Sequence, residues 1–145
     1  MDNPATTDLM NTLSSATNEK NLDEYLNMLS ELGYQKTFAG YYEYMLKKKD
    51  LLKSEAIAAS YLNNIYAYQI LEGKKKAGRE KILCLCIGAG FNLEETQRAL
   101  EISKNGILYS KDTRDAIIIY AIGKKMSVRD INCLLEKYNE LPLDS

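Results

Sequence analysis

Residues 52–76, LKSEAIAASYLNNIYAYQILEGKKK, constrain the fold of this chain more than any other stretch. Apolar residues recur there at spacings of three and four, the period of a helix. Ile57, Ala58 and Tyr61 make one stripe; Leu62, Ala67 and Ile70 or Leu71 make a second. Asn63-Asn64 between them supplies cap chemistry, because an Asn side chain accepts a hydrogen bond from the first free N–H groups of a helix. Gly73 suits a C-terminal cap, where the backbone often turns left-handed. Two short helices joined by a tight turn, then three lysines, is the expected arrangement.

Charge falls on the same stretch. Residues 1–45 hold seven acids and two bases, residues 46–81 nine bases and four acids, and residues 82–145 eight bases and nine acids. The net charge of −1 hides a basic middle behind an acidic start. Two helices at a steep angle, with polar residues on the second and basic residues beside it, is the layout of a DNA-reading helix-turn-helix.

Several chemistries lose their residues at once. The chain has no histidine, which removes a Ser-His-Asp triad, a Cys-His pair and a histidine metal site. Cys84 and Cys86 stand two apart and point in different directions on a helix; with Cys133 they read as reduced core cysteines, which places the chain in the cytoplasm. Glu94 and Glu95 are adjacent and point apart, and Gly88-Ala89-Gly90 lacks the strand that a phosphate loop needs. No enzyme, cofactor or metal is expected. No apolar run reaches ~18 residues, so neither is a membrane span.

Along the chain, residues 1–36 read as two amphipathic helices, about 7–16 (Leu9, Met10, Leu13) and 22–32 (Leu22 to Leu32), the second capped by Asn21 and stopped by Gly33. Phe38, Tyr41, Tyr42, Met45 and Leu46 form a helix face ending in Lys47-Lys48-Lys49. Ile82 to Phe91 is apolar on most sides, as a central helix should be. Asn92 caps the next helix, and Ser127 the last. Residues 113–125 contain Ala116-Ile117-Ile118-Ile119-Tyr120-Ala121-Ile122, whose β-branching suits a strand but whose neighbours favour a helix. No internal repeat is apparent. The fold class is all-α.

From Phe38 to about Ser103 the chain resembles the lambda-repressor-like (Cro/repressor, XRE) family, specifically a bacterial or phage regulator subgroup. The likeness rests on Tyr66-Ala67-Tyr68-Gln69-Ile70, Gly73-Lys74-Lys75-Lys76 and Arg79-Glu80-Lys81; downstream, Leu93-Glu94-Glu95-Thr96-Gln97-Arg98, Leu108-Tyr109 and Arg114-Asp115-Ala116-Ile117-Ile118 add to it and extend it over most of the chain. It implies a five-helix DNA-binding core with N-terminal and C-terminal helical extensions: an arm at 1–36, a helix-turn-helix domain at 37–103, and an extension at 104–145 packed on that core. The chain departs from the family pattern in its turn, Ser60-Tyr61-Leu62-Asn63, which lacks a glycine and reads one residue short. It departs again at Ala77-Gly78, where Pro-Ser is usual, and at Glu72 beside the basic run.

With Leu62, Ala67 and Ile70 inward, Asn63, Asn64, Ile65, Tyr68 and Gln69 project outward. Asn and Gln pair bidentately with adenine in the major groove, and Ile65 or Tyr68 suits a thymine methyl. Lys53, Ser54, Lys74, Lys75, Lys76 and Arg79 are the candidate phosphate contacts. One such domain buries little surface, so specific binding to double-stranded DNA implies a homodimer. The expected function is a transcriptional regulator, in the sense of a repressor. The alternative is the same scaffold turned to a protein partner, as in an adaptor, an antitoxin-like protein or a mobile-element inhibitor, which the eleven tyrosines would suit.

Overall fold

The structure, a computed structural model, describes residues 6–15, 18–31 and 36–143. Among them are nine α-helices and no strand, so the apolar run after Thr113 is a helix. No helix among the described residues is long and apolar enough to cross a membrane. The chain divides into two compact units, Met1–Gln35 and Lys36–Ser145.

The first unit holds α1 (Thr6–Ser14) and α2 (Glu19–Glu31). Asn18, not Asn21, serves as the cap of α2, its Oδ1 accepting the Asn21 N–H at 2.9 Å. The expected stop at Gly33 lies outside the described residues. No residue of α2 is buried, and Leu22, Leu26, Met10 and Leu13 are exposed.

The second unit is built around α6 (Arg79–Gly88), where Ile82 through Ile87 are all buried. A helix is apolar all round when it is covered all round, and α4 (Lys53–Ser60), α7 (Leu93–Ile102) and α9 (Val128–Lys137) all pack against this one. Helix α3 (Phe38–Lys48) packs on α5 (Asn64–Leu71) and α7. Its Tyr42 is fully buried, and its hydroxyl donates to the Leu85 carbonyl at 2.7 Å. Burial pushes that hydroxyl's pKa up, so it stays a donor. Helix α8 (Thr113–Gly123) lies against α7 and α9. The C-terminal helices therefore belong to the same compact unit as the first five helices after residue 36.

Three sequence-based expectations change here. Ala58 is exposed and Ala56 takes its place in the core, because α4 turns its Ala56 and Ser60 backbone onto Gly88: a Cβ at Gly88 would stand 2.8 Å from both the Ala56 O and the Ser60 N. Cys133 is exposed, unlike the buried Cys84 and Cys86.

The third is the absence of a repeat. Residues 79–108 and 114–143 are two copies of one module, each helix–turn–helix–hook, the second 35 residues after the first. Arg79 matches Arg114, and Ile87-Gly88 matches Ile122-Gly123. Gly90 and Lys125 both have positive φ, 73° and 57°, and Lys104 and Asn139 have φ of 59° and 58°. Asn92 and Ser127 cap the second helices. Gln97 accepts the Leu108 N–H just as Asn132 accepts that of Leu143, and both leucines are buried.

The arginines complete the correspondence. Arg79 donates to the Gly106 and Ile107 carbonyls, and Arg114 to those of Leu141 and Pro142. Each then reaches across: Arg79 grips Asp115 bidentately at 2.9 and 2.7 Å, while Arg114 grips Glu80. Reciprocal contacts of this kind are the signature of an isologous pair. Here both members lie in one chain.

Candidate nucleic-acid interface

Helix α4 begins with Lys53-Ser54-Glu55 after Leu52, which offers no side-chain cap. Its first N–H groups are thus open to an outside acceptor, the arrangement that favours an anion. Ser54 and Glu55 are exposed and Lys53 is half-buried. The helix ends at Tyr61, which adopts φ +61°, the left-handed conformation that glycine takes most easily. The three residues 61–63 then make the whole turn. Ser60 ties it inside: its buried hydroxyl donates to the Ile57 carbonyl at 2.6 Å and accepts the Leu62 N–H at 3.3 Å.

Asn63 starts α5, its Oδ1 accepting the Tyr66 N–H at 3.1 Å. Its acceptor oxygen is spent on the cap, so of the five base-reading candidates it is the least free. Leu62, Ala67, Ile70 and Leu71 face inward, which leaves Asn64, Ile65 and Tyr68 exposed and Gln69 at the edge. Ile65 is 72% exposed, an open position for so apolar a side chain. Tyr66 is half-buried beneath the Lys81 ammonium, 5.4 Å from the ring centre.

After Gly73 (φ +78°) the chain folds back, the Lys74 and Lys75 N–H groups both donating to the Gln69 carbonyl. The lysine run is thereby pinned against the last turn of α5. Lys74 pairs with Glu72 at 2.9 Å. That hydrogen bond, then the Lys74 charge and Lys53, hold the Glu72 carboxyl below its ordinary value. Lys75 and Lys76 are exposed with no acid in salt-bridge reach among the described residues. At the end of α3, Lys49 pairs with Glu95 at 2.9 Å.

Arg79 does not stand free to take a phosphate. Its guanidinium is committed to two carbonyls and to Asp115, which is only 6% exposed. Burial opposes ionisation of Asp115, but the Arg79 hydrogen bonds and the Tyr109 N–H outweigh it and hold the carboxyl below the usual range. An arginine in a basic stretch suggests a phosphate ligand, and only the repeated Arg-acid pair at the start of each module would have signalled a brace.

Two features escaped the sequence. Leu52 and Tyr61 add exposed apolar surface to the same helix pair. Beside Tyr61, a groove of about 560 Å³ runs along α9, lined by Val128, Arg129, Asn132, Cys133 and Glu136. Among the described residues no three His, Cys, Asp or Glu side chains are placed to hold a metal ion. No protein family, characterised protein or solved structure matches this chain at a significant level.

Proposed function

We propose that the five helices α3–α7 form a lambda-repressor-like DNA-binding core, and that the chain is a dimeric, sequence-specific DNA-binding regulator of the repressor type. The observation that carries this is the outward face of α5. Asn64, Ile65, Tyr68 and Gln69 lie at or near the surface over a rear of Ala67, Ile70 and Leu71, with Lys75 pinned to the same helix end and Lys76 next to it. In the major groove Asn64 and Gln69 would take adenine edges, and Ile65 or Tyr68 a thymine methyl. Lys75, Lys76, Lys53, Ser54 and the open N-terminus of α4 would hold phosphates. Lys74 contributes less, because Glu72 partly cancels it.

A second reading has its own observation. Leu52, Tyr61 and Ile65 are each more than 60% exposed on the helix pair, and exposed apolar side chains grouped on one element suit a protein partner. A random duplex library at low and moderate salt separates the two. Retention of a palindromic motif supports the regulator; no retention at either salt transfers the face to a protein. Within a recovered motif, Gln69→Ala should cost about 1–3 kcal/mol at one base position, and Lys75→Ala should weaken all sequences alike and lower the salt slope by about 1.

A further inference from the structure

We infer that the outward face of α8, formed by Ala116, Tyr120 and Gly123 with the half-buried Ile119 at its edge, is where a second copy of this chain docks, its own α8 lying antiparallel across the first. This deepens the dimeric reading above but needs no DNA.

The two modules show what that face is built for. In the first module the corresponding positions of α6 are Lys81, Cys84, Leu85 and Gly88. They are covered: the α4 backbone closes on Gly88, Tyr66 of α5 sits at Lys81, and Cys84 and Leu85 are buried. In the second module the same face is open. A Cβ on Gly123 would meet nothing within 4 Å, Ala116 is exposed, and Tyr120 is 57% exposed.

Gly123 has no reason of its own to be glycine. It is the last residue of α8, just before the cap Lys124, and its φ is outside the left-handed region, so the backbone there does not call for glycine. At the matching position of α6, glycine is there because another backbone comes close. The residue on α8 keeps the same allowance with no neighbour to use it.

A second α8 fits this allowance because the face is self-complementary. Antiparallel packing centred between Ile119 and Tyr120 sets Ala116 against the partner's Gly123, and Gly123 against the partner's Ala116, as a two-fold interface requires. Small residues at both ends let the two helices approach closely, with the large side chains in the middle. The ends are complementary in charge as well. Lys124 and Lys125 are exposed at the C-terminal end, and Asp112 is exposed as the cap at the N-terminal end, with Lys111 beside it. In that register Lys124 and Lys125 lie over the first turn of the partner's α8, where Asp112 is the exposed acid and Arg114 is already held by Glu80, and the helix dipoles oppose; parallel packing would stack the lysine pairs on each other. The amphipathic N-terminal unit is the competing occupant, and its exposed Leu26 supplies the control.

The test uses the full chain without DNA. Sedimentation equilibrium over a wide concentration range should show a monomer–dimer equilibrium. Tyr120→Arg and Gly123→Gln should each raise the dissociation constant at least about tenfold, as loss of a central anchor does, while leaving the melting temperature of dilute protein unchanged. Leu26→Glu should leave the equilibrium as it was. In a Cys133→Ser background, mixing an Ala116→Cys chain with a Gly123→Cys chain should give more disulfide-linked dimer than either alone. A chain that stays monomeric throughout overturns the proposal. So does a dimer insensitive to both α8 variants, one broken by Leu26→Glu alone, or cross-linking only between like positions. A dimer that behaves as expected yet binds no DNA leaves this inference standing and removes the regulator.

Discussion

Replacing Asp115 with alanine tests the crossed brace that joins the two modules. The carboxylate accepts two hydrogen bonds from Arg79 and one from the Tyr109 N–H, at 2.7–3.0 Å. Breaking a buried pair by removing one partner costs about 3–5 kcal/mol. The Arg79 side chain is 26% exposed and keeps its two carbonyl acceptors, so the lower end applies. Asp115 also sits in the first turn of α8, where a carboxylate adds a few tenths of a kcal/mol through the helix dipole. The expected loss is therefore about 3 kcal/mol, or roughly 10 °C in melting temperature for a unit of this size. Urea unfolding of wild type, Asp115→Ala, Arg79→Met and the double variant gives the coupling directly. Because the carboxyl is held below its ordinary value, its contribution is present above the unfolded aspartate pKa of about 3.9 and is lost as pH falls through the lower folded value. The gap between wild type and Asp115→Ala should thus close in acid below about pH 4. A loss under about 1 kcal/mol at neutral pH, the range of exposed ion pairs, or fully additive single variants, would mean that the brace is open in solution and that the modules are held by packing alone.

Three further substitutions check the helix pair by chemical denaturation. Ala56→Glu should unfold the second unit, since it buries an unpaired charge at a position 3% exposed, whereas Ala58→Glu should stay within about 0.5 kcal/mol. Equal effects would mean that α4 is rotated from the orientation described. Tyr61→Gly relieves a left-handed residue whose side chain is 64% exposed. It should leave stability unchanged or raise it by up to about 1 kcal/mol, and a loss larger than that would place the ring in a contact that matters.

What the sequence disclosed follows from the range over which each feature is decided. The cap at Asn92 was legible because its partner is three residues away: Asn92 and Glu95 exchange hydrogen bonds in a closed capping box. The same holds for Ser127, and for the buried rear of α5. The face of α4 was not legible. Its run Ala56-Ile57-Ala58-Ala59 has small residues on every side, so periodicity could not choose between Ala56 and Ala58. Gly88, 28 residues beyond Ser60, makes the choice by admitting one backbone edge and no other. The engagement of Arg79 is hidden for a similar reason, because the carboxylate that claims it lies 36 residues on, and a basic stretch offers no local sign of that. Of the candidate DNA contacts, those found already engaged are Asn63 by a backbone N–H, Lys74 by its neighbour Glu72 and Arg79 by a distant acid.

The duplication was hidden by the difference in what covers its two copies. Helix α6 is enclosed by α4, α7 and α9, and its buried sides are filled with Ile, Leu and Cys. Helix α8 carries the same turns, hooks and braces but is enclosed on one side only, so its matching positions hold Ala116, Tyr120 and Gly123 instead. What the copies share is therefore mostly backbone conformation, the positive φ at Gly90 and Lys125 or at Lys104 and Asn139, which different residue types satisfy. The residues that differ most between them mark the face on which each copy meets something else. On α6 that something is the helix pair proposed to read DNA. On α8 it is the second chain inferred above, so the two activities proposed for a dimeric regulator would fall on equivalent faces of one repeated unit, fixed relative to each other by the Arg79–Asp115 and Arg114–Glu80 pairs.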